Sequence, residues 1–147
     1  MSPDAAAGGQ VSPESLVAEA RAALGHAHAP YSRFPVGAAL LAESGRIYRG
    51  ANVENASLGL SVCAERTAVF SAVAAGERRF LAIAVVTDTD RPTPPCGACR
   101  QILREFAADL PVHLAGRSGA HETRTLRELL PHAFAPPAEE GRTTFGS

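Results

Sequence analysis

Residues 63–99 read CAERTAVFSAVAAGERRFLAIAVVTDTDRPTPPCGAC, and this stretch carries both the layering and the chemistry of the chain. From Cys63 to about Ala75 the residues are strong or moderate helix formers with neither Pro nor Gly, and Gly76 is a fitting stop. Phe80 to Thr87 is a continuous apolar run, as in a strand covered on both faces. Pro92 to Pro95 enforce an extended loop, after which Cys99 to Phe106 resumes helical spacing with Ile102, Leu103 and Phe106 on one face.

The flanking segments continue the alternation. Toward the N-terminus, Ser12 can cap a helix, Pro13 suits its first position, and Val11 with Leu16 has the spacing of a hydrophobic staple. The stripe Leu16, Ala20, Ala23, Leu24 follows at helical period, and Gly25 closes it. Gly37–Leu41 and Ile47–Val53 read as a hairpin turned by Glu43-Ser44-Gly45. Downstream, Val112–Ala115 and Glu122–Thr125 are short strands and Leu126–Leu130 a short helix. Strands interleaved with helices predict an α/β fold, a three-layer α/β/α sandwich around one mixed sheet of about five strands. Residues 1–10 are small, polar and Gly-rich and are expected to be disordered; residues 11–135 form the domain, and 136–147 a loose tail.

Composition sets the class. A chain of 147 residues with 46% hydrophobic content buries one ordinary core. A formal charge of −1 gives no basic surface for a polyanion, which argues against a nucleic-acid partner. The N-terminal segment has neither the basic start nor the apolar run of a signal peptide, and no run approaches the ~18 apolar residues of a membrane span. Three cysteines cannot all pair, so reduced thiols and a cytoplasmic location are expected.

Those thiols hold the chemistry. Cys63 and the Cys96-x-x-Cys99 pair both fall near helix starts that follow loops, where the partial positive charge of a helix N-terminus favours thiolates. Three thiolates can hold a tetrahedral zinc and leave its fourth position for water, and Glu65, two residues from one ligand, can stand beside that water as a base. Taken alone, Cys-x-x-Cys also serves redox dithiols and structural zinc knuckles. The redox reading has no use for Cys63 or Glu65. A structural zinc needs a fourth ligand, and His26, His28, His113, His121 and His132 are poorly placed to supply it. Asn52 and Glu54 occupy alternate positions at a strand end, so their side chains share a face and could hold a hydroxyl between donor and acceptor.

Several segments together carry a resemblance: Ala29-Pro30-Tyr31-Ser32-Arg33-Phe34-Pro35-Val36-Gly37-Ala38-Ala39-Leu40, Asn52-Val53-Glu54-Asn55, Cys63-Ala64-Glu65-Arg66-Thr67-Ala68, Pro95-Cys96-Gly97-Ala98-Cys99-Arg100-Gln101 and Leu129-Leu130-Pro131-His132-Ala133-Phe134. In this order and spacing the chain resembles the small cytidine deaminases from about Val11 to Phe134. The resemblance implies hydrolytic deamination of cytidine and 2′-deoxycytidine, with one zinc per chain held by Cys63, Cys96 and Cys99 and with Glu65 as the proton carrier. It implies further that Arg66 hydrogen-bonds ligand sulfur, that Asn52 and Glu54 bind ribose, that Phe34 lies on the pyrimidine face, and that the backbone at Ala64 and Cys96 meets the base edge. Phe134 and Tyr31 match residues that reach a neighbouring subunit, which implies a homotetramer with shared active sites. Arg100-Gln101 matches a frequent family pair and carries no assigned chemistry. The competing readings are deamination of a cytosine-containing antibiotic such as blasticidin S, whose enzymes differ in the Asn-Val-Glu-Asn stretch, nucleic-acid editing, and a non-catalytic zinc or redox binding protein.

Overall fold

The computed structural model describes residues 11–137. The expected disorder of 1–10, and that part of the expected loose tail from 138 onward, lie outside the described residues.

Helix α1 (Pro13–Leu24) starts where the sequence predicts: the Ser12 hydroxyl accepts the Ser15 N–H at 3.1 Å, and Pro13 fills the first turn. It buries Leu16, Val17, Ala20 and Ala23. Strands β1 (Val36–Ala42) and β2 (Ile47–Ala51) form the expected hairpin, and Gly45 takes φ 90° in its turn, a conformation that suits a residue without Cβ. Strand β2 ends two residues short of the expected Val53. Beyond Ala51 the pairing passes to a different partner, since Val53 and Val62 exchange backbone hydrogen bonds of 2.9 Å. A short 3₁₀ turn at Leu58–Leu60, which the sequence reading leaves as loop, separates them.

Helix α2 (Ala64–Ala74), strand β3 (Phe80–Thr87) and helix α3 (Gly97–Phe106) realise the 63–106 stretch. Helix α3 opens two residues earlier than its apolar stripe suggests, because Gly97 and Ala98 add nothing to that stripe yet are helical, with Cys96 extended at φ −66° and ψ 166° as the N-cap. Strands β4 (Pro111–Ala115) and β5 (His121–Thr125) and helix α4 (Leu126–Leu129) complete the described chain. Thr125 caps α4 in a reciprocal box with Glu128.

The five strands make one sheet in the order β2-β1-β3-β4-β5, antiparallel except for β3 with β4. The mixed three-layer sandwich is therefore as predicted. Alternation along each strand sends side chains to two cores. Ala38 and Leu40 of β1 with Ile83 and Val85 of β3 face α2 and α3, whereas Ala39 and Leu41 with Ala82, Ala84 and Val86 face α1. His113, buried on β4, bonds Thr123 Oγ1 through Nδ1 at 2.8 Å, so it is a satisfied histidine.

One close approach sets the position of α2. A Cβ on Gly50 would lie 2.2 Å from the Ala64 carbonyl oxygen and 2.5 Å from the Ala68 nitrogen, both backbone atoms of α2. Only a glycine in β2 lets the first turn of α2 lie this near the sheet. The Thr67 hydroxyl fastens the same contact by sharing its one proton between the carbonyls of Ala51 and Ala64, at 2.9 and 2.8 Å. Gly50→Ala is expected to destabilise the fold by about 3 kcal/mol, at the upper end for overpacking because backbone cannot move aside as a side chain can. Urea unfolding measures it, and a loss below about 1 kcal/mol would mean that α2 shifts freely.

Candidate active site

The two helix starts converge. Cys63 and Cys96 are the N-cap residues of α2 and α3, with extended backbone and no side-chain cap bond, so their thiols turn away from their own helices and toward each other. Cys63 Sγ lies 3.8 Å from Cys96 Sγ, Cys96 Sγ lies 3.4 Å from Cys99 Sγ, and all three sulfurs fall within 4.8 Å of one another. Sulfurs at ~2.3 Å from one tetrahedral zinc would be about 3.8 Å apart, so the donor set fits that ion. They are free thiols. Among the described residues no fourth His, Cys, Asp or Glu joins the cluster, which suits an open coordination position.

The thiols' protons respond to this crowding. Hydrogen bonding from Cys99, then from Arg66 and Cys96, draws the Cys63 pKa down to about 5 against the opposing effect of burial. The same bond to Cys63, with burial, pushes Cys99 well up. A bound cation would displace the remaining thiol protons. Arg66, one turn into α2, places Nη2 3.3 Å from Cys63 Sγ and so offsets part of the charge of three thiolates. Arg66→Ala is expected to weaken zinc binding about 10- to 100-fold, as loss of a partner to a metal ligand does; chelator competition measures it. Unchanged affinity and rate would make Arg66 a surface residue.

Glu65 is 5% exposed. Burial pushes its carboxyl above the usual range, with the Cys63 thiolate adding to the effect and its own backbone N–H opposing it. It lies in the wall of a cavity of about 380 Å³, together with Cys63, Ala64, Cys96, Phe34, Asn52 and Glu54.

Asn52 and Glu54 share the cavity, as their alternate positions predict, and they also build its far wall. The Asn52 side chain accepts from Val36 N–H and donates to the Phe34 carbonyl, each at 2.8 Å. Glu54 Oε1 accepts from the N–H groups of Tyr31 and Ser32 at 2.9 and 3.0 Å. The Ser32 side chain and these amides hold its carboxyl below the usual range. The two polar residues thus fix the 31–36 loop, including Arg33 at φ 56°, and with it the position of Phe34.

Tyr31 and Phe134 are not brought to the cavity within one chain. They are 54% and 73% exposed, and Phe134 instead borders a groove with Gln101 and Arg104. Conversely, Ser32, Val36, Val85, Thr87, Thr93 and Pro94 line the cavity without having been predicted. Thr87 carried a signal, since it ends a central strand at its carboxyl end, where open α/β sheets place their ligands.

A three-thiol set with an open position beside a buried carboxyl defines a zinc-assisted hydrolytic centre. Residues 11–114 match the family model described as the cytidine and deoxycytidylate deaminase zinc-binding region. The chain is 53% identical over 123 residues to a cytidine deaminase of Sporosarcina psychrophila, covering 83% of this chain and 90% of that one. It is 55% identical over 122 residues to the cytidine deaminase of Halalkalibacterium halodurans, covering 82% and 92%. The crystal structure of cytidine deaminase from Burkholderia pseudomallei superposes with a TM-score of 0.80 at 49% identity, over 84% of this chain and all of that one. The chain belongs to the cytidine and deoxycytidylate deaminase family, whose zinc-binding region it contains.

Proposed function

We propose that the protein hydrolyses the 4-amino group of cytidine and 2′-deoxycytidine, consuming water and releasing uridine or 2′-deoxyuridine and ammonia, as a step of pyrimidine salvage. The observation that carries this reading is the cluster of Cys63, Cys96 and Cys99, of which Cys63 and Cys96 line one cavity together with buried Glu65, in a chain 53% and 55% identical over 123 and 122 residues to named cytidine deaminases.

Zinc held by the three thiolates would acidify water at neutral pH and so supply the nucleophile. Glu65 then moves both protons of the water: it accepts the first and delivers it to N3 as C4 becomes tetrahedral, then takes the second from the C4 hydroxyl and passes it to the 4-amino group, so that the C4–N bond breaks, ammonia leaves and the 4-carbonyl forms. Burial raises its pKa, a shift in the direction that makes the carboxylate a stronger proton acceptor than an exposed one. Phe34 positions the flat pyrimidine, and the backbone at Ala64 and Cys96 meets its edge. Glu54 retains acceptor capacity and Asn52 a donor beyond their bonds to the loop, which suits a ribose hydroxyl. Replacing both with Ala should raise KM for cytidine more than it lowers kcat, and an unchanged KM would remove them from the ribose site.

Residues 11–135 are the catalytic domain in this reading. Tyr31 and Phe134 serve neighbouring sites in a homotetramer, a role supported by their exposure outside the cavity and by exposed Leu58, Leu60 and Phe70. Light scattering tests that state. Three free thiols suit a reducing compartment, which supports a cytoplasmic location. Incubation of the purified protein with cytidine, deoxycytidine, CMP and blasticidin S tests the substrate. Loss of absorbance with the two nucleosides supports the reading, and turnover of blasticidin S alone would replace it.

A further inference from the structure

The sequence assigns no chemistry to Arg100-Gln101, yet both side chains are committed. Arg100 lies in the first turn of α3, half-buried. Its Nε donates to the Pro95 carbonyl at 2.7 Å and its Nη1 to the Leu129 carbonyl at 2.6 Å. Its backbone N–H donates to the Cys96 carbonyl at 3.0 Å. The peptide planes before and after Cys96 are therefore both held by one residue.

This matters because the three thiols are held by different means. Cys99 is fully buried and its orientation follows from packing inside α3, whereas Cys96 is exposed and follows the Pro-rich loop. A proline carries no N–H, so Pro95 brings no donor of its own to that turn. Something outside the loop must fix the direction in which the Cys96 side chain leaves the backbone. The Leu129 carbonyl can serve as the fixed post: it closes the last turn of α4, where carbonyls lack intrahelical partners, and Leu129 packs against the core between α2, α3 and the sheet. The guanidinium fork matches this task, since two N–H groups in one rigid plane can span two carbonyls while an ammonium is a single point charge.

We infer that Arg100 is a positioning residue for the metal centre, orienting Cys96 by tying the Pro95 carbonyl to the Leu129 carbonyl. The inference rests on the three thiols being a zinc centre. Gln101 provides the contrast: its Nε2 donates to the Phe134 carbonyl at 3.1 Å and does not reach the metal loop.

The test follows zinc release from the zinc-loaded protein into excess chromogenic chelator for the parent, R100K, R100M and Q101A, with thermal midpoints measured in parallel. R100M and R100K should each release zinc about 10-fold faster or more, the effect expected when a partner that orients a ligand is lost. R100K, which keeps the charge and one bond, should retain a midpoint near the parent's, and Q101A should release zinc at the parent rate. If R100M fails to fold, R100K carries the comparison. Release from R100K within about twofold of the parent overturns the inference, as does Q101A releasing as fast as the Arg100 variants, which would mean general loosening. A parent that takes up no zinc overturns the zinc reading and this inference with it, whereas one zinc per chain with unchanged release removes the inference alone.

Discussion

Glu65→Gln is expected to lower turnover of cytidine by about 10²- to 10⁴-fold or more while leaving zinc at one per chain, because removal of a group that gives and takes protons in the transition state costs that much. The amide keeps the shape and a hydrogen-bonding oxygen but can neither accept the proton of water nor return it. Stability should not fall with activity. A carboxyl with its pKa raised by burial is held at a cost whenever it ionises, and glutamine removes that cost. The thermal midpoint of the variant at neutral pH should equal or exceed the parent's. Near-parental turnover would show that another group carries the protons, and lost zinc would show that Glu65 supports the metal instead.

Cys99→Ala should abolish activity and bring zinc down to a small fraction of one per chain. Of the three ligands Cys99 is the fully buried one, with its sulfur 3.4 Å from Cys96 Sγ and in contact with Cys63, so two thiolates remain without a third corner. Metal removal from the parent by chelation should match it: activity falls to background and returns with added zinc. Both should also lower the thermal midpoint, because zinc held by Cys63, Cys96 and Cys99 would join the starts of α2 and α3, and free energy of metal binding is in part free energy of folding. Emission spectrometry for zinc alongside calorimetry measures this. Full activity in the metal-stripped protein would sink the proposed chemistry.

The ligands were legible because their signal is local in type and spacing. Cys63 with Glu65, and Cys96 with Cys99, lie two or three residues apart, and each motif stands at a loop-to-helix junction that propensity and proline mark. The loop wall was less legible. Asn52 reaches Val36 and Phe34 across 16 and 18 residues, and Glu54 reaches Tyr31 and Ser32 across 23 and 22. The resemblance gave these two side chains a ligand role, and the fold adds a structural one that no periodicity encodes.

The sequence by itself determined the alternation of helices and strands, the apolar central strand β3, and three thiols suited to zinc with a carboxyl two residues from one of them. Periodicity and ligand chemistry are properties of residues near one another in the chain. Tertiary structure alone decided that β2 stops at Ala51, that Gly50 is the point where α2 meets the sheet, and that Arg100 ties the Cys96 turn to the end of α4. Each of these depends on groups brought together across 9 to 29 residues, where a hydrogen bond or a steric limit exists only once the layers have packed.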